Sequence, residues 1–289
     1  MLTENVCIIG LGLMGGSLAQ ALAGRVGQLI GVDSHAATRQ LALQSGLFAL
    51  VTDEVEQGMA EADAVILATP VGQILQLIAQ LPALRPDGCL VFDLGSTKAA
   101  ISVAMADLPP QFEAMGGHPM CGKETAGFAA ADPLLYQEQT FILCPNERTT
   151  PAAETFAYQL VELIGARPLL LDAVEHDQIV ALVSHLPYLV AAALMQQAAA
   201  QQDERLWPVS ASGFRDTTRI AGSDPRMMLD ILVTNKTAVL AQINQYQQTL
   251  NQLQTLLQND DSHDLARWLA TAQQQHIAYR RQKEAKHNP

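Results

Sequence analysis

From about residue 5 to residue 171, short runs of apolar and β-branched residues alternate with segments whose apolar positions recur every three or four residues. Such runs suit strands covered on both faces of a parallel sheet, and the 3.6-residue period suits the helices that cover them. Strands are predicted over Val6–Ile9, Leu29–Val32, Ala64–Ala68, Cys89–Asp93, Phe112–Gly116, Thr140–Cys144 and Arg167–Leu171. Helices are predicted over Met14–Ala23, His35–Ser45, Val71–Leu81, Lys98–Met105 and Pro151–Ile164. The last opens with Thr150 as N-cap and Pro151 at the first helical position, where a missing N–H costs nothing.

Beyond Asp172 the strand signals stop, and the chain becomes rich in Ala, Leu and Gln with helical periodicity. The change predicts two domains, an α/β domain over 1–171 and an all-α domain over 172–289. Within the second, Val239, Ile243, Tyr246, Leu250, Leu253 and Leu257 repeat at intervals of 4, 3, 4, 3 and 4. That stripe suits either packing within its own domain or a dimer seam. A final helix, roughly Ser262–Lys286, ends in Arg280-Arg281-Gln282-Lys283, which suits a solvated helix C-terminus favoured by the macrodipole.

Composition narrows the function. Of the 289 residues 49% are hydrophobic and 16% charged, a globular balance. The net charge is −12, with 17 basic residues facing 29 acidic ones, which excludes nucleic acid as the expected partner. An anionic substrate would need a locally basic pocket. Cys7, Cys89, Cys121 and Cys144 stand apart with no CxxC pair, so free thiols in a reducing compartment are expected, without a disulfide frame or a metal site. The start of the chain has no basic leader, and no apolar run approaches the roughly 20 residues that span a bilayer, so the expectation is a cytoplasmic protein without a membrane partner.

Directly after the first predicted strand stands Gly10-Leu11-Gly12-Leu13-Met14-Gly15, a G-x-G-x-x-G pattern that opens a helix. In a dinucleotide-binding βαβ unit Gly10 makes the tight turn, Gly12 lets backbone approach a pyrophosphate, and Gly15 lets helix and strand pack closely. The backbone N–H groups of this turn and of Leu13 and Met14 then face the anion at the helix N-terminus. The second strand runs to Asp33, 18 residues after Gly15, where a carboxylate accepts hydrogen bonds from ribose hydroxyls and repels a 2′-phosphate. NAD is therefore expected over NADP, with His35 and Arg39 as the neighbours that would suit a 2′-phosphate. The fold class is a Rossmann-type, doubly wound, mostly parallel sheet followed by the helical domain. In such a sheet ligands lie beyond the carboxyl ends of the strands, so Thr69-Pro70 and Asp93–Lys98 face the nicotinamide half of the cleft.

Three further polar segments interrupt the apolar background: Asp93-Leu94-Gly95-Ser96-Thr97-Lys98, Gly116-Gly117-His118-Pro119-Met120-Cys121-Gly122-Lys123-Glu124, and Ser184-His185-Leu186-Pro187 with Ser212-Gly213-Phe214-Arg215-Asp216-Thr217-Thr218-Arg219. With the glycine-rich start, in this order from Gly10 to about Asp230, they resemble the prephenate/arogenate (cyclohexadienyl) dehydrogenase family of tyrosine biosynthesis. The resemblance implies that NAD takes hydride from the hydroxyl-bearing carbon of a small anionic cyclohexadienyl substrate while the ring carboxylate leaves as carbon dioxide. It also implies a homodimer through the helical domain.

The resemblance makes His118 the catalytic base. From the residues alone, His118 falls on a glycine-bracketed turn after a strand, and imidazole titrates near 6.5, so it takes a proton at cellular pH. Ser96 becomes the hydroxyl that bonds the substrate and the His118 ring; by residue type it also suits an N-cap. His185, beside the helix-disturbing Pro187, becomes a substrate contact, where a lone histidine would otherwise be a satisfied core residue. Arg219 and Arg215 are placed at the substrate carboxylates, with surface pairing to Asp216 or Asp224 as the alternative. Glu124 is placed at the cleft entrance or in a solvated loop, and Lys98 suits a first-turn surface lysine better than a ligand contact. The expected activity is prephenate dehydrogenase. The alternatives are arogenate dehydrogenase, a β-hydroxyacid dehydrogenase, whose Gly-Leu-Gly-x-Met-Gly start this chain shares, or a non-catalytic NAD-sensing protein.

Overall fold

The structure, a computed structural model, describes residues 2–3, 5–123, 125–259 and 262–287. It divides the chain into two compact units, residues 1–236 and 237–289.

The first unit is built on an eight-stranded sheet in the order β3-β2-β1-β4-β5-β6-β7-β8. The strands are β1 (Asn5–Ile9), β2 (Gln28–Val32), β3 (Leu50–Thr52), β4 (Ala64–Leu67), β5 (Leu90–Asp93), β6 (Glu113–Pro119), β7 (Thr140–Cys144) and β8 (Arg167–Leu170). Between them run α1 (Leu13–Leu22), α2 (Ala36–Gln44), α3 (Val55–Met59), α4 (Val71–Leu84), α5 (Ala99–Ala106) and α6 (Pro151–Leu163). All neighbouring strands pair in parallel except β6 and β7. The reversal in strand order at β1 and β4 is the switch point of a doubly wound sheet, and it lies beside the glycine-rich turn.

Alternate β1 residues serve opposite faces. Val6 and Ile8 join the apolar layer that holds Leu18, Phe92 and Phe141, while Cys7 and Ile9 join the layer that holds Val65, Leu67 and Ile74. Burial on both faces explains why these strands appear in sequence as unbroken apolar runs. Two elements were not predicted, β3 and α3. A three-residue strand and a five-residue helix are too short to display a period.

A correction concerns β6. The predicted strand ends at Gly116, but the observed one continues to Pro119, so His118 lies on the strand and not on a turn after it. The extension holds because Gly116–Pro119 pair antiparallel with Phe141–Cys144. Glycine is required there: a Cβ on Gly117 would lie 2.4 Å from the Phe92 ring.

After β8 the first unit continues as α7 (Ala173–Val180), one π turn (Ala181–His185) and α8 (Leu186–Ala200). There follow α9 (Leu206–Val209), α10 (Ser212–Thr218), a 3-10 turn (Arg219–Gly222) and α11 (Pro225–Thr234). The π turn stands where Pro187 withholds its N–H from the ladder. Contrary to the sequence expectation, Ala173–Ala200 forms a continuous helical stretch long and apolar enough to cross a membrane by length and composition, with mean hydropathy 1.7. The apolar residues are diluted by Glu175, His176 and Asp177 near its start and by His185 farther along, and three of those four polar side chains are buried in the protein. α12 (Lys236–Gln258) and α13 (Ser262–His287) supply the second unit. Leu250 and Leu257 of the predicted stripe are exposed at 45% and 58%.

Candidate active site

The turn between β1 and α1 has the geometry that its glycines suggest. Gly10 adopts φ +96°, in the left-handed region, and a Cβ there would lie 2.8 Å from the Ala68 backbone. A Cβ on Gly15 would lie 1.9 Å from the Gly10 carbonyl oxygen, so helix and turn touch backbone to backbone. Gly12 has nothing within 4 Å of its Cβ position and no side chain caps α1, which leaves an open cradle at a helix N-terminus. Leu13 and Met14 form the first turn, and the Met14 carbonyl accepts a 2.6 Å hydrogen bond from the buried Tyr136 hydroxyl.

Opposite the cradle, Thr69 follows β4 and Pro70 caps α4. Among the described residues the buried Thr69 Oγ1 has no hydrogen-bond partner. An orphaned hydroxyl beside an open glycine turn is what a polar ligand would satisfy, so these residues fit a dinucleotide. At the end of β2, Asp33 accepts N–H groups from Leu11 at 2.9 Å and His35 at 2.8 Å, and each carboxylate oxygen retains acceptor capacity. Arg39 is committed elsewhere: its guanidinium bonds the Asp33 and Ser34 carbonyls and pairs with Asp53 at 2.9 Å.

β6 is in parallel register with β5 as far as Phe92 opposite Met115, so Gly116–Pro119 extend past the carboxyl end of β5, onto the ligand edge of the sheet. His118 Nδ1 lies 2.8 Å from His176 Nε2, and the two rings meet edge to face. His176 Nδ1 lies 2.8 Å from Asp177 Oδ1. The Asp177 carboxylate in turn accepts the backbone N–H groups of Lys98 at 2.7 Å and Ala99 at 3.0 Å, and so caps α5 from 79 residues away in sequence.

Two expectations around this chain are corrected. The ring contact of His118 expected from Ser96 is made at Nδ1 by His176, and α5 is capped by Asp177 and not by Ser96, which stands half-buried just before it. Lys98 is no surface lysine. It is 1% exposed, with Nζ paired to the fully buried Asp93 and donating to the Gly117 carbonyl at 2.7 Å. Burial pushes the Asp93 carboxyl up, opposed by the Lys98 ammonium. A lysine at a helix start carries no sequence mark of burial, and neither His176 nor Asp177 falls within a motif. The only sequence signal for the pair was a run of four polar residues, Glu175–Gln178, near the start of an otherwise apolar helix.

His185, on the π turn, is 2% exposed. Asn235 Nδ2 donates to the Asp177 carbonyl at 2.7 Å, which orients the amide, and lies 3.3 Å from His185 Nδ1. Since the amide nitrogen only donates, His185 Nδ1 accepts and its Nε2 holds the proton. Burial first, then His176, pull the His185 pKa down to about 4 against the opposing pull of Asp177. The His118 pKa lies well below the ordinary value, through burial first and then His176, Lys98 and His185. Both rings are therefore neutral at neutral pH.

Arg215 is exposed and pairs with adjacent Asp216 at 3.1 Å, the surface arrangement raised as the alternative. Arg219 is exposed and opens the 3-10 turn that packs against α8, the helix that follows His185. Glu124 lies outside the described residues. Among the described residues no three His, Cys, Asp or Glu side chains gather to hold a metal.

The family description "Prephenate dehydrogenase, nucleotide-binding domain" matches residues 18–170, and "Prephenate dehydrogenase, dimerization domain" matches residues 172–271. A relative from Bacillus subtilis (strain 168), named prephenate dehydrogenase, is 34% identical over 93% of this chain and 74% of its own length. A solved prephenate dehydrogenase from A. aeolicus, in complex with hydroxyphenyl propionate and NAD+, superposes with TM-score 0.89 at 29% identity, covering 96% of this chain and 98% of that one. The Synechocystis arogenate dehydrogenase structure gives TM-score 0.81 at 32% identity, covering 96% of this chain and all of that one. With a dinucleotide cradle at the sheet's switch point, a buried histidine chain at its ligand edge, and matches across both halves, the chain belongs to the prephenate dehydrogenase family.

Proposed function

We propose that this protein is a NAD-dependent prephenate dehydrogenase, which converts prephenate to 4-hydroxyphenylpyruvate and carbon dioxide. The observation that carries the proposal is the position of His118. It overhangs the carboxyl edge of the sheet whose β1 and β4 ends form the dinucleotide cradle, with Nδ1 engaged by His176 and, among the described residues, Nε2 unbonded.

Gly10, Gly12, Leu13, Met14 and Gly15 would hold the pyrophosphate, Asp33 the adenosine ribose, and Thr69 with Pro70 the nicotinamide side. When bound, NAD supplies the hydride acceptor. Arg39 is committed to Asp53 and two carbonyls, and the His35 ring lies 3.3 Å from the Asp33 carboxylate, so both neighbours that would suit a 2′-phosphate are engaged, which supports NAD over NADP.

His118, neutral and with a lone pair on Nε2, accepts the substrate hydroxyl proton, assisted by Ser96 at the start of α5. His185 stays neutral to about pH 4, so it offers a hydrogen bond and no charge. The cation for the substrate carboxylates is therefore Arg219, with Arg215 in a secondary role and Glu124 at the entrance. Residues 172–289 form the substrate and dimerisation part. A homodimer is supported by the family description of 172–271 and by apolar side chains left exposed there, such as Val183 at 58% and Leu229 at 61%.

The test is absorbance at the reduced-nicotinamide band with prephenate or arogenate, each with NAD or NADP. Turnover with prephenate and NAD is expected. Turnover with arogenate alone would move the substrate to the amino acid, and silence in all four mixtures would sink the proposal. His118→Asn is expected to lower kcat by about 10²- to 10⁴-fold while NAD affinity is kept.

A further inference from the structure

The buried chain behind His118 has a definite hydrogen-bond polarity. Asp177 accepts backbone N–H groups on both carboxylate oxygens, at the N-terminus of the eight-residue helix α5, so both oxygens are engaged as acceptors. Oδ1, which accepts the Lys98 N–H, meets His176 Nδ1 as an acceptor too, which puts the proton of that short contact on His176 Nδ1. With the ring proton of His176 on Nδ1, its Nε2 faces His118 as the acceptor. The 2.8 Å contact to His118 Nδ1 consequently requires the proton to be on that nitrogen, and the lone pair of His118 is directed to Nε2.

We infer that His176 and Asp177 are positioning residues: they hold His118 as the Nδ1–H tautomer, so that Nε2 is the base, and they stabilise the imidazolium that forms when Nε2 takes the substrate's proton. The inference rests on His118 being the base of the proposed reaction. No proton leaves the chain in this step. One bond forms, Nε2–H on His118, and one breaks, O–H on the substrate, while the His118 Nδ1–H and His176 Nδ1–H bonds stay in place and the hydrogen bonds they donate shorten.

The surroundings make the device necessary. Among the described residues the charged or titratable groups acting on His118 are His176, Lys98 and His185, and each disfavours a positive imidazole. Lys98 is neutralised by Asp93, and Asp177 is the remaining carboxylate of the buried network, reached only through His176. The anchors are rigid: Asp177 is tied to α5 by two backbone bonds, and Asn235 bonds the Asp177 carbonyl. By contrast, an exposed histidine exchanges its proton with water and populates both tautomers.

The experiment is ¹⁵N–¹H correlation of histidine-labelled protein, with the His118 ring assigned by its disappearance in His118→Asn, together with kinetics of His176→Leu and His176→Gln. In the unsubstituted protein the His118 ring is expected to carry its proton on Nδ1. His176→Leu, which removes the acceptor, is expected to lower kcat by about 100-fold with KM for prephenate and affinity for NAD within about twofold, and to shift His118 toward the Nε2–H form. His176→Gln places a carbonyl oxygen near the former Nε2 and is expected to recover kcat to within about tenfold, with the Nδ1–H signature restored.

An Nε2–H signature in the unsubstituted protein would overturn the inference, as would unchanged kcat in His176→Leu. If the leucine variant does not fold, the spectrum of the unsubstituted protein and the glutamine variant decide. Loss of turnover in His118→Asn with unchanged turnover in His176→Leu would overturn the positioning role and leave His118 as the base. Normal turnover in His118→Asn would overturn the assignment of the base itself.

Discussion

The carboxylate of Asp177 accepts the backbone N–H of Lys98 at 2.7 Å, joining helix α7 to the first turn of α5 across 79 residues of sequence. Through this bond the helix that carries His176 is fixed to the strand end that carries Asp93 and Ser96. His118, His176, Asp177 and the end of β5 are thereby held in one frame.

The buried ion pair beneath the site is expected to be a weak point. Lys98→Met leaves Asp93, which is fully buried, without its cation and frees the Gly117 carbonyl next to His118. A loss of about 3–5 kcal/mol in unfolding free energy is expected, because an uncompensated buried charge remains. Urea denaturation measures it. Adding Asp93→Asn to Lys98→Met should restore part of the loss, and a single variant as stable as the unsubstituted chain would refute the account.

At the cradle, Gly15→Ala drives a methyl group into the Gly10 carbonyl, 1.9 Å from the ideal Cβ position. Backbone must move, so NAD affinity should fall by tenfold or more, about 1.4 kcal/mol per factor of ten. Gly12→Ala, whose Cβ meets nothing within 4 Å, should leave stability unchanged while crowding the pyrophosphate. Calorimetric titration with NAD and thermal melts without it separate the two effects.

Stability should depend on pH through the two neutral histidines. In the unfolded chain His118 and His185 return to about 6.5, whereas in the folded chain His185 lies at about 4 and His118 also lies well below its ordinary value. The unfolded state then binds more protons below about pH 6.5, so the stabilisation is complete above that pH and is lost as pH falls toward about 4. His185 alone accounts for up to roughly 3 kcal/mol, at 1.36 kcal/mol per unit. The melting temperature should therefore drop between about pH 7 and about pH 5. A flat profile over that interval would contradict the burial of these rings.

Much of this was legible without coordinates. The apolar runs located seven of the eight strands, the central ones because they are buried on both faces and the exposed edge strand β8 by its apolar run alone, and the G-x-G-x-x-G turn was visible because only glycine meets its demands on φ and close approach. The segments around His118, His185 and Arg219 stood out as polar interruptions in apolar sequence. Short edge elements such as β3 escaped because three residues show no period.

What the sequence by itself determined, then, was local or periodic: the parallel sheet, the nucleotide turn, the change to helix beyond Asp172, and the motifs that resemble one family. Tertiary structure alone decided which polar groups are partners. His118 found His176 and not Ser96, α5 found its cap in Asp177, and Lys98 was drawn inside to Asp93. The physical reason is that a buried hydrogen bond is satisfied by whichever group the fold brings within 3 Å, and sequence separation carries no information about that distance.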